Sequence, residues 1–411
     1  MVLPHPVTAT KKATMINLLL HSNDYYIDHI PQNLEIKGYC PPESEAYLRT
    51  QVKGLRRVLV IGGNGYLGSH IVNLLLSLGV GVNATVREMR ADDQPEWKFL
   101  TQLDRAENLK VFALDLETQG DWPAEMFEDV DVIYFCAIPN AFEKIHHEID
   151  GVMPGIEGII NCMENARDRG IRRIVISSCV CTIRGDKYKP HYNEEIWNTI
   201  NSADFTEECK IFAERTAWWF NSKHPDCFDL TIFNPGLLLG PSLFLKRIKG
   251  ASQTLIHRLL TKSTDSLLKL HMPIADVRDT AAHHVMCIAN RLTFGQRYIL
   301  NSGSYWFREL AQTFNTQYKK YGYGMPTSEV GSFMFRVSSW FDSSLKPMVA
   351  FYDREMWFDT DKIKKAMNYA VRWRPIGQTV KDMTDEFIRK SWIEDLVTDY
   401  DSVEDLEPVK A

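Results

Sequence analysis

Arg57-Val58-Leu59-Val60-Ile61-Gly62-Gly63-Asn64-Gly65-Tyr66-Leu67-Gly68 decides how this chain folds. The apolar run from Val58 to Ile61 reads as a short buried strand. A glycine turn follows directly, and Gly68–Leu78 then carries helical periodicity. In a strand–turn–helix of this kind Gly62 permits the tight turn. Gly65 lets the backbone approach a pyrophosphate, and Gly68 allows helix and strand to pack closely. The helix start adds unpaired N–H groups and the positive end of its dipole. A tight turn that binds nothing is the bland alternative, but the strand before it and the helix after it favour dinucleotide binding.

Outward from this motif the alternation continues. Val80–Val86, Val111–Leu114, Val130–Ala137, Ile174–Ser178 and Leu230–Asn234 read as strands, with helices at Gly151–Arg167 and Cys209–Phe220. Short apolar strands alternating with helices predict βαβ units and a doubly wound parallel α/β sheet of the Rossmann kind. The nucleotide-binding domain is expected over 56–240, rejoined by about 274–300. Residues 241–273 and 301–394 are expected to form a smaller C-terminal cap over the sheet edge, since Ser242–Pro273 and Tyr305–Trp357 contain clustered basic, aromatic and Met residues. Residues 1–55 lack strong periodicity, apart from a polar helix expected near Glu43–Gln51, and read as an N-terminal arm. Residues 395–411 read as an acidic tail.

Composition narrows the class. Of 411 residues, 45% are hydrophobic and 24% charged, so a full core is expected and whole-chain disorder is excluded. Lys plus Arg number 47 against 53 acidic residues, a net charge of −6, which gives no basic footprint for nucleic acid. The 8 cysteines follow no disulfide or zinc spacing and read as free, mostly buried thiols. No uninterrupted apolar stretch has membrane-spanning length, and residues 1–12 lack a signal-like apolar segment. A soluble intracellular protein, cytoplasmic by default, is expected.

The end of the second strand selects the dinucleotide. Ala84-Thr85-Val86-Arg87-Glu88 offers Arg87, which suits the 2′-phosphate of NADP(H), whereas an acidic residue would suit NAD. Glu88 stands beside it, and a solvated surface arginine is the alternative; NADP(H) is the expectation.

With these motifs placed, the chain resembles the extended short-chain dehydrogenase/reductase superfamily of the NAD-dependent epimerase/dehydratase type, and most of all its dihydroflavonol-reductase-like branch. The resemblance covers about 56–393. It rests on Gly62–Gly68, Ala84–Arg87, Asp115-Leu116, Ala137-Ile138-Pro139, Pro154-x-x-Glu157-Gly158-x-x-Asn161 and Asn234-Pro235-Gly236 through Pro241. Asp276-Val277-Arg278-Asp279, Phe358–Lys362 and Trp373-Arg374-Pro375 complete it. It implies that Gly62, Asn64, Gly65, Tyr66 and Leu67 cradle the cofactor. Asp115 and Leu116 would flank the adenine, Ala137 would line the groove, and Pro235 and Leu238 would pack near the nicotinamide. Asp276 is expected to cap the following helix.

Family members reduce carbonyls with a Ser–Tyr–Lys set, in which the tyrosine donates a proton and the lysine at i+4 lowers its pKa. The helix Lys210–Phe220 puts Lys210 at the lysine position, where it would also bond the nicotinamide ribose. Four residues earlier stands Thr206, and a one-residue slip offers only Phe205. The serine position reads Cys179, while Ser178 should point to the opposite face. Lys210 is therefore retained and two of the three catalytic positions are altered. The leading expectation is an NADP(H)-binding, reductase-like protein whose standard chemistry is weak or lost. The alternatives are an active reductase on a hydrophobic carbonyl or alcohol, with a proton from Tyr188, Tyr192 or a Lys210-held water, and a scaffold bound to a protein partner through residues 1–55. Tyr192 itself reads as structural. Cys179 as a nucleophile is disfavoured, because cysteines buried in apolar strands are inert. His146-His147 and His283-His284 share no ligand geometry, so no metal is expected. Phe333–Phe341 is expected to be a cap helix with its aromatics turned inward.

Overall fold

The strand at Arg57–Ile61 is central because Val58, Leu59, Val60 and Ile61 are enclosed on both faces, the condition under which parallel strands form. The computed structural model describes residue 39 and residues 42–396, apart from 88, 90–96, 117, 119, 139–147, 186, 200–204, 244–250, 262–263, 342, 369, 371–372 and 395. In chain order the first half is α1 (Pro42–Val52), β1 (Arg57–Ile61), α2 (Tyr66–Ser77), β2 (Gly81–Val86), β3 (Leu109–Ala113), β4 (Val130–Phe135), α3 (Glu148–Asp168), β5 (Arg173–Ser177), β6 (His191–Tyr192), α4 (Phe205–Lys223) and β7 (Asp229–Pro235). Then come β8 (Leu237–Leu239), α5 (Ala251–Leu260), β9 (His271–Asp276), α6 (Val277–Met286), β10 (Gln296–Leu300), β11 (Gly303–Trp306), α7 (Phe307–Tyr318), α8 (Ser332–Phe341), β12 (Trp357–Phe358), α9 (Asp361–Ala366) and α10 (Ile376–Arg389).

Seven strands form one parallel sheet in the order β10-β7-β5-β4-β1-β2-β3. The direction of winding reverses between β1 and β4, and ligands of such sheets bind at the strand carboxyl ends beside that reversal. One face is covered by α2 and α6 through Ile71, Leu75, Val285 and Met286. The other is covered by α3 and α4 through Ile159, Met163, Ala213 and Ala217. The doubly wound Rossmann expectation holds, and every strand read from the sequence is present within a few residues of its predicted ends.

Part of the stretch read as an arm is built into this core. Tyr39, Leu48 and Val52 join the same cluster as Leu75 and Val285. The Tyr39 hydroxyl hydrogen-bonds with His70 Nδ1 at 2.9 Å and accepts from Asn73 Nδ2 at 2.9 Å. The aromatic–imidazole link explains why weak periodicity misled: a few large side chains, rather than a continuous stripe, attach α1.

Beyond Pro235 the chain leaves the main sheet. β8, β9 and β11 form a second, smaller sheet, packed with α5, α7 and α10 around Leu239, Ile256, Phe314 and Phe387. β6 and β12 pair beside it, with Tyr192 stacked on Phe358 at 4.8 Å. Asp276 caps α6 as expected, its Oδ1 accepting from the Arg278 amide at 2.8 Å. His283 and His284 are buried, each ring Nδ1 hydrogen-bonding the carbonyl one turn back, at Asp279 and Thr280. The pair His146-His147 lies outside the described residues.

The expectation for α8 is corrected. Only Phe335 turns inward, stacking on Tyr352 at 3.7 Å. Phe333, Trp340 and Phe341 are 77%, 79% and 87% exposed. Met334 is exposed as well, while Val337 is half-buried. No helix among the described residues is long and apolar enough to cross a membrane.

Candidate active site

The cradle is made by backbone that excludes side chains. Gly62 adopts φ +83°, a conformation that L side chains rarely take. A Cβ on Gly68 would stand 2.1 Å from the Gly62 carbonyl oxygen, and one on Gly65 3.1 Å from the same atom. Gly63, to which the sequence reading gave no role, is equally constrained, because a Cβ there would meet that of Ala84 at 2.7 Å. The turn is tied to β2 by Gly63 N donating to the Thr85 carbonyl at 2.9 Å and Gly62 N to Thr85 Oγ1 at 3.1 Å. α2 then begins with no side-chain cap and no acidic residue in its first turn. The positive end of this helix thus meets no acidic side chain in its own first turn, which suits a pyrophosphate.

The other residues that the resemblance implies for the cofactor reach the same sheet edge. Arg87 follows β2, is exposed, and stands one residue beyond its last paired position. Asp115 and Leu116 follow β3. The motif Glu157-Gly158-x-x-Asn161 on α3 clamps this loop, since a Cβ on Gly158 would lie 3.1 Å from that of Leu116, and Asn161 Nδ2 donates to the Leu116 carbonyl at 3.3 Å. Ala137 follows β4 and lies against Gly62. Pro235 ends β7, and Leu238 lies on β8. Two cradle residues offer backbone only: Leu67 is buried in the core, and Tyr66 directs its hydroxyl to the Gly240 carbonyl at 2.6 Å.

Past β5 the chain turns at Ser177-Ser178-Cys179 into a short helical turn, Val180–Thr182. Ser178 faces away from the groove, as the alternation of a strand predicts, and donates to Glu214 Oε2 at 2.5 Å. Cys179 sits at the opening of that turn, half-buried, its Sγ accepting from the Cys181 amide at 3.4 Å. Hydrogen bonding from Cys181 brings the Cys179 thiol down to about 7, against burial, which raises it; the charge of Lys210 also lowers it. Cys181, in the same turn, is pushed well up by its bond to Cys179 and by burial.

Lys210 projects from α4 toward the end of β4, where Nζ donates to the Ile138 carbonyl at 3.1 Å. Burial holds its ammonium below the usual value, while Cys179, Cys181, Cys209 and Cys136 act in the opposite direction. Thr206 lies one turn earlier on α4, with its side chain outside the described residues. Tyr192 is buried in the β6 pair, its hydroxyl accepting from the Lys189 amide, and Tyr188 donates to the Glu355 carbonyl at 3.0 Å. Both are occupied structurally.

A buried polar group behind the Val180–Thr182 turn was not anticipated. Glu214, one turn beyond Lys210, is fully buried. It accepts from Ser178, Thr182 Oγ1 at 2.6 Å and Asn234 Nδ2 at 2.8 Å, and pairs with Arg297 Nε at 3.0 Å. The Arg297 guanidinium stacks over Trp197 at 3.8 Å. The signal was present as the i, i+4 spacing of Lys210 and Glu214, but a helical glutamate normally reads as a solvated face.

Residues 58–301 match the NAD dependent epimerase/dehydratase family. The chain belongs to that family. The NADPH-dependent methylglyoxal reductase of Saccharomyces cerevisiae is 27% identical over 303 residues, 67% of this chain and 86% of that protein. An anthocyanidin reductase of Vitis vinifera is 26% identical over 285 residues, 65% of this chain and 82% of that one. In fold, the chain is similar to the crystal structure of the yeast methylglyoxal/isovaleraldehyde reductase complexed with NADPH, with TM-score 0.66 and 22% identity over 82% of this chain and 99% of that one. Within the NAD dependent epimerase/dehydratase family, then, this chain has the glycine turn Gly62–Gly68, and Lys210 and Cys179 stand where its resemblance implies a lysine and a serine.

Proposed function

We propose that the protein is an NADPH-dependent reductase of the extended short-chain type, acting on small hydrophobic carbonyl compounds, with the standard Ser–Tyr–Lys proton delivery weak or lost. One observation carries the reading: a complete phosphate cradle and a groove-facing Lys210 stand beside Cys179 rather than a serine. The residues present fit the cofactor. The first turn of α2 would hold the pyrophosphate, Arg87 the 2′-phosphate, and Lys210 the nicotinamide ribose in place of the Ile138 carbonyl. When bound, NADPH supplies a hydride to the carbonyl carbon. Lys210 would orient the ribose, and the wall formed by Ala137, Pro235 and Leu238 would keep water from the ring. The relatives whose names describe carbonyl reduction support this class of substrate. A scaffold role through the N-terminal stretch is the weaker reading, because α1 turns its apolar side chains onto its own domain.

The test is a fluorescence titration of NADPH and NADH against the full chain and its Arg87→Ala variant. A charge-assisted contact contributes about 1.5–3 kcal/mol, so the variant is expected to lose about tenfold or more in NADPH affinity with NADH unchanged. Equal affinity of the parent for both nucleotides would sink the Arg87 assignment.

A further inference from the structure

The geometry points to Cys179 as the proton donor of this reduction, with Cys181 as the residue that stabilises the thiolate left behind. The inference rests on the NADPH reading above and names a catalytic residue within it. Among the described residues, Ser178 donates to Glu214 and Tyr188 to the Glu355 carbonyl, while the Tyr192 hydroxyl is buried in the β6 pair and accepts from the Lys189 amide. Cys179 stands partly buried at the carboxyl end of β5, within the electrostatic reach of Lys210 and at the position where the resemblance implies a serine.

Its surroundings favour the charged form. The Cys181 amide points at Sγ from 3.4 Å, and the neighbouring Cys181 side chain lowers the Cys179 pKa further. Other titratable or charged groups around this turn are Lys210, Glu207 and Glu214 on α4, Cys136 at the end of β4, and Tyr188 from the loop before β6. Glu207 opposes the thiolate but is ion-paired with Arg184, and Glu214 is ion-paired with Arg297. Lys210 favours it. A donor is most effective when its pKa lies near the working pH, and a thiol at about 7 meets that condition better than a phenol at its ordinary value.

The step balances. As the carbonyl carbon takes hydride, the carbonyl π pair takes the Cys179 proton. An S–H bond breaks, an O–H bond forms, and the electron pair stays on sulfur. NADPH is oxidised, the carbonyl is reduced to an alcohol, and the thiolate recovers its proton from solvent.

The experiment uses the full-length protein with two readouts. In the first, iodoacetamide alkylation of the Cys179 peptide is followed by mass spectrometry across pH, with and without NADPH. The thiolate is the reacting form, so the rate is expected to rise through a midpoint near 7, to shift upward in Cys181→Ala, and to be slowed by NADPH. In the second, reduction of benzaldehyde is expected to fall as pH rises through the same midpoint, and to drop by about 10²-fold or more in both Cys179→Ala and Cys179→Ser. The serine variant is decisive, because a hydroxyl can polarise a carbonyl but cannot match the acidity of the thiol. An alkylation midpoint at an ordinary thiol value of about 8.5, or undiminished turnover in Cys179→Ser, would overturn the assignment. So would absent turnover in a protein whose thiol NADPH does protect. Absence of NADPH protection would overturn the cofactor reading beneath it instead.

Discussion

Replacing Glu214 by glutamine isolates the charge that holds the Val180–Thr182 turn against α4. The carboxylate is fully buried and faces donors only: two hydroxyls, one amide and the Arg297 guanidinium, between 2.5 and 3.0 Å. A glutamine must aim its own NH2 at one of those donors, and it leaves Arg297 charged, buried and unpaired. Burial already disfavours the Arg297 cation, and Glu214 is the largest influence restoring it. Breaking a buried pair from one side costs about 3–5 kcal/mol; the Trp197 ring keeps part of the guanidinium stabilised, so the lower end, about 3 kcal/mol, is expected. Urea denaturation followed by tryptophan fluorescence measures this directly. With a slope of about 3 kcal/mol per molar, the midpoint should fall by about 1 M. Replacing both partners by leucine should cost much less than the sum of the single changes, since the stranded charge is gone. A loss below about 1 kcal/mol for Glu214→Gln, the range of an exposed pair, would refute the view that this carboxylate anchors the turn.

Further expectations concern the proton donor and acid stability. In a Cys179→Ala background, Thr206→Tyr places a phenol four residues before Lys210 and should recover benzaldehyde turnover by about 10²-fold; no gain, with NADPH affinity intact, would show that the helix does not carry the standard geometry. Burial depresses His70 to about 4 and both His283 and His284 to about 3. The unfolded chain titrates these groups near 6.5 and so binds more protons than the folded one at intermediate pH. Their contribution is therefore present in full above about 6.5 and declines as pH falls toward 4. At pH 5, unfolding should take up protons at all three imidazoles, measurable as pH-dependent denaturation midpoints. A stability that stays flat over that interval would contradict the neutral burial of these rings.

The features legible in the sequence are those dictated by backbone. Gly62 is forced by positive φ and Gly68 by a contact too close for any Cβ, while a Cβ on Gly65 would crowd the Gly62 carbonyl oxygen, and such constraints favour glycine in the sequence wherever they occur. Strand positions were equally readable because burial on both faces demands unbroken apolar runs. Glu214 and Arg297 escaped because they lie 83 residues apart, on α4 and β10, and each alone resembles a surface residue. The aromatic face of α8 was misread for a related reason: helical periodicity reports which residues share a side, while only the neighbouring chain determines whether that side meets protein. The state of Cys179 depends on an amide two residues ahead and on a lysine from another helix, neither of which a strand-like run of apolar residues discloses.

The manner in which α1 is attached matters for anyone who handles this protein as a recombinant product. The family match begins at residue 58, and trimming the gene there would remove Tyr39, Leu48 and Val52 from the cluster that covers α2 and α6. The lost hydroxyl of Tyr39 would leave His70 without its Nδ1 partner, although His70 also reaches the Pro241 carbonyl at 3.0 Å. An N-terminal fusion point or protease site is therefore better placed before Tyr39 than at the conventional domain edge. A shortened version would present fresh oily surface on the back of the very helix that begins at the nucleotide turn, and poor yield from it would say nothing about the nucleotide turn itself.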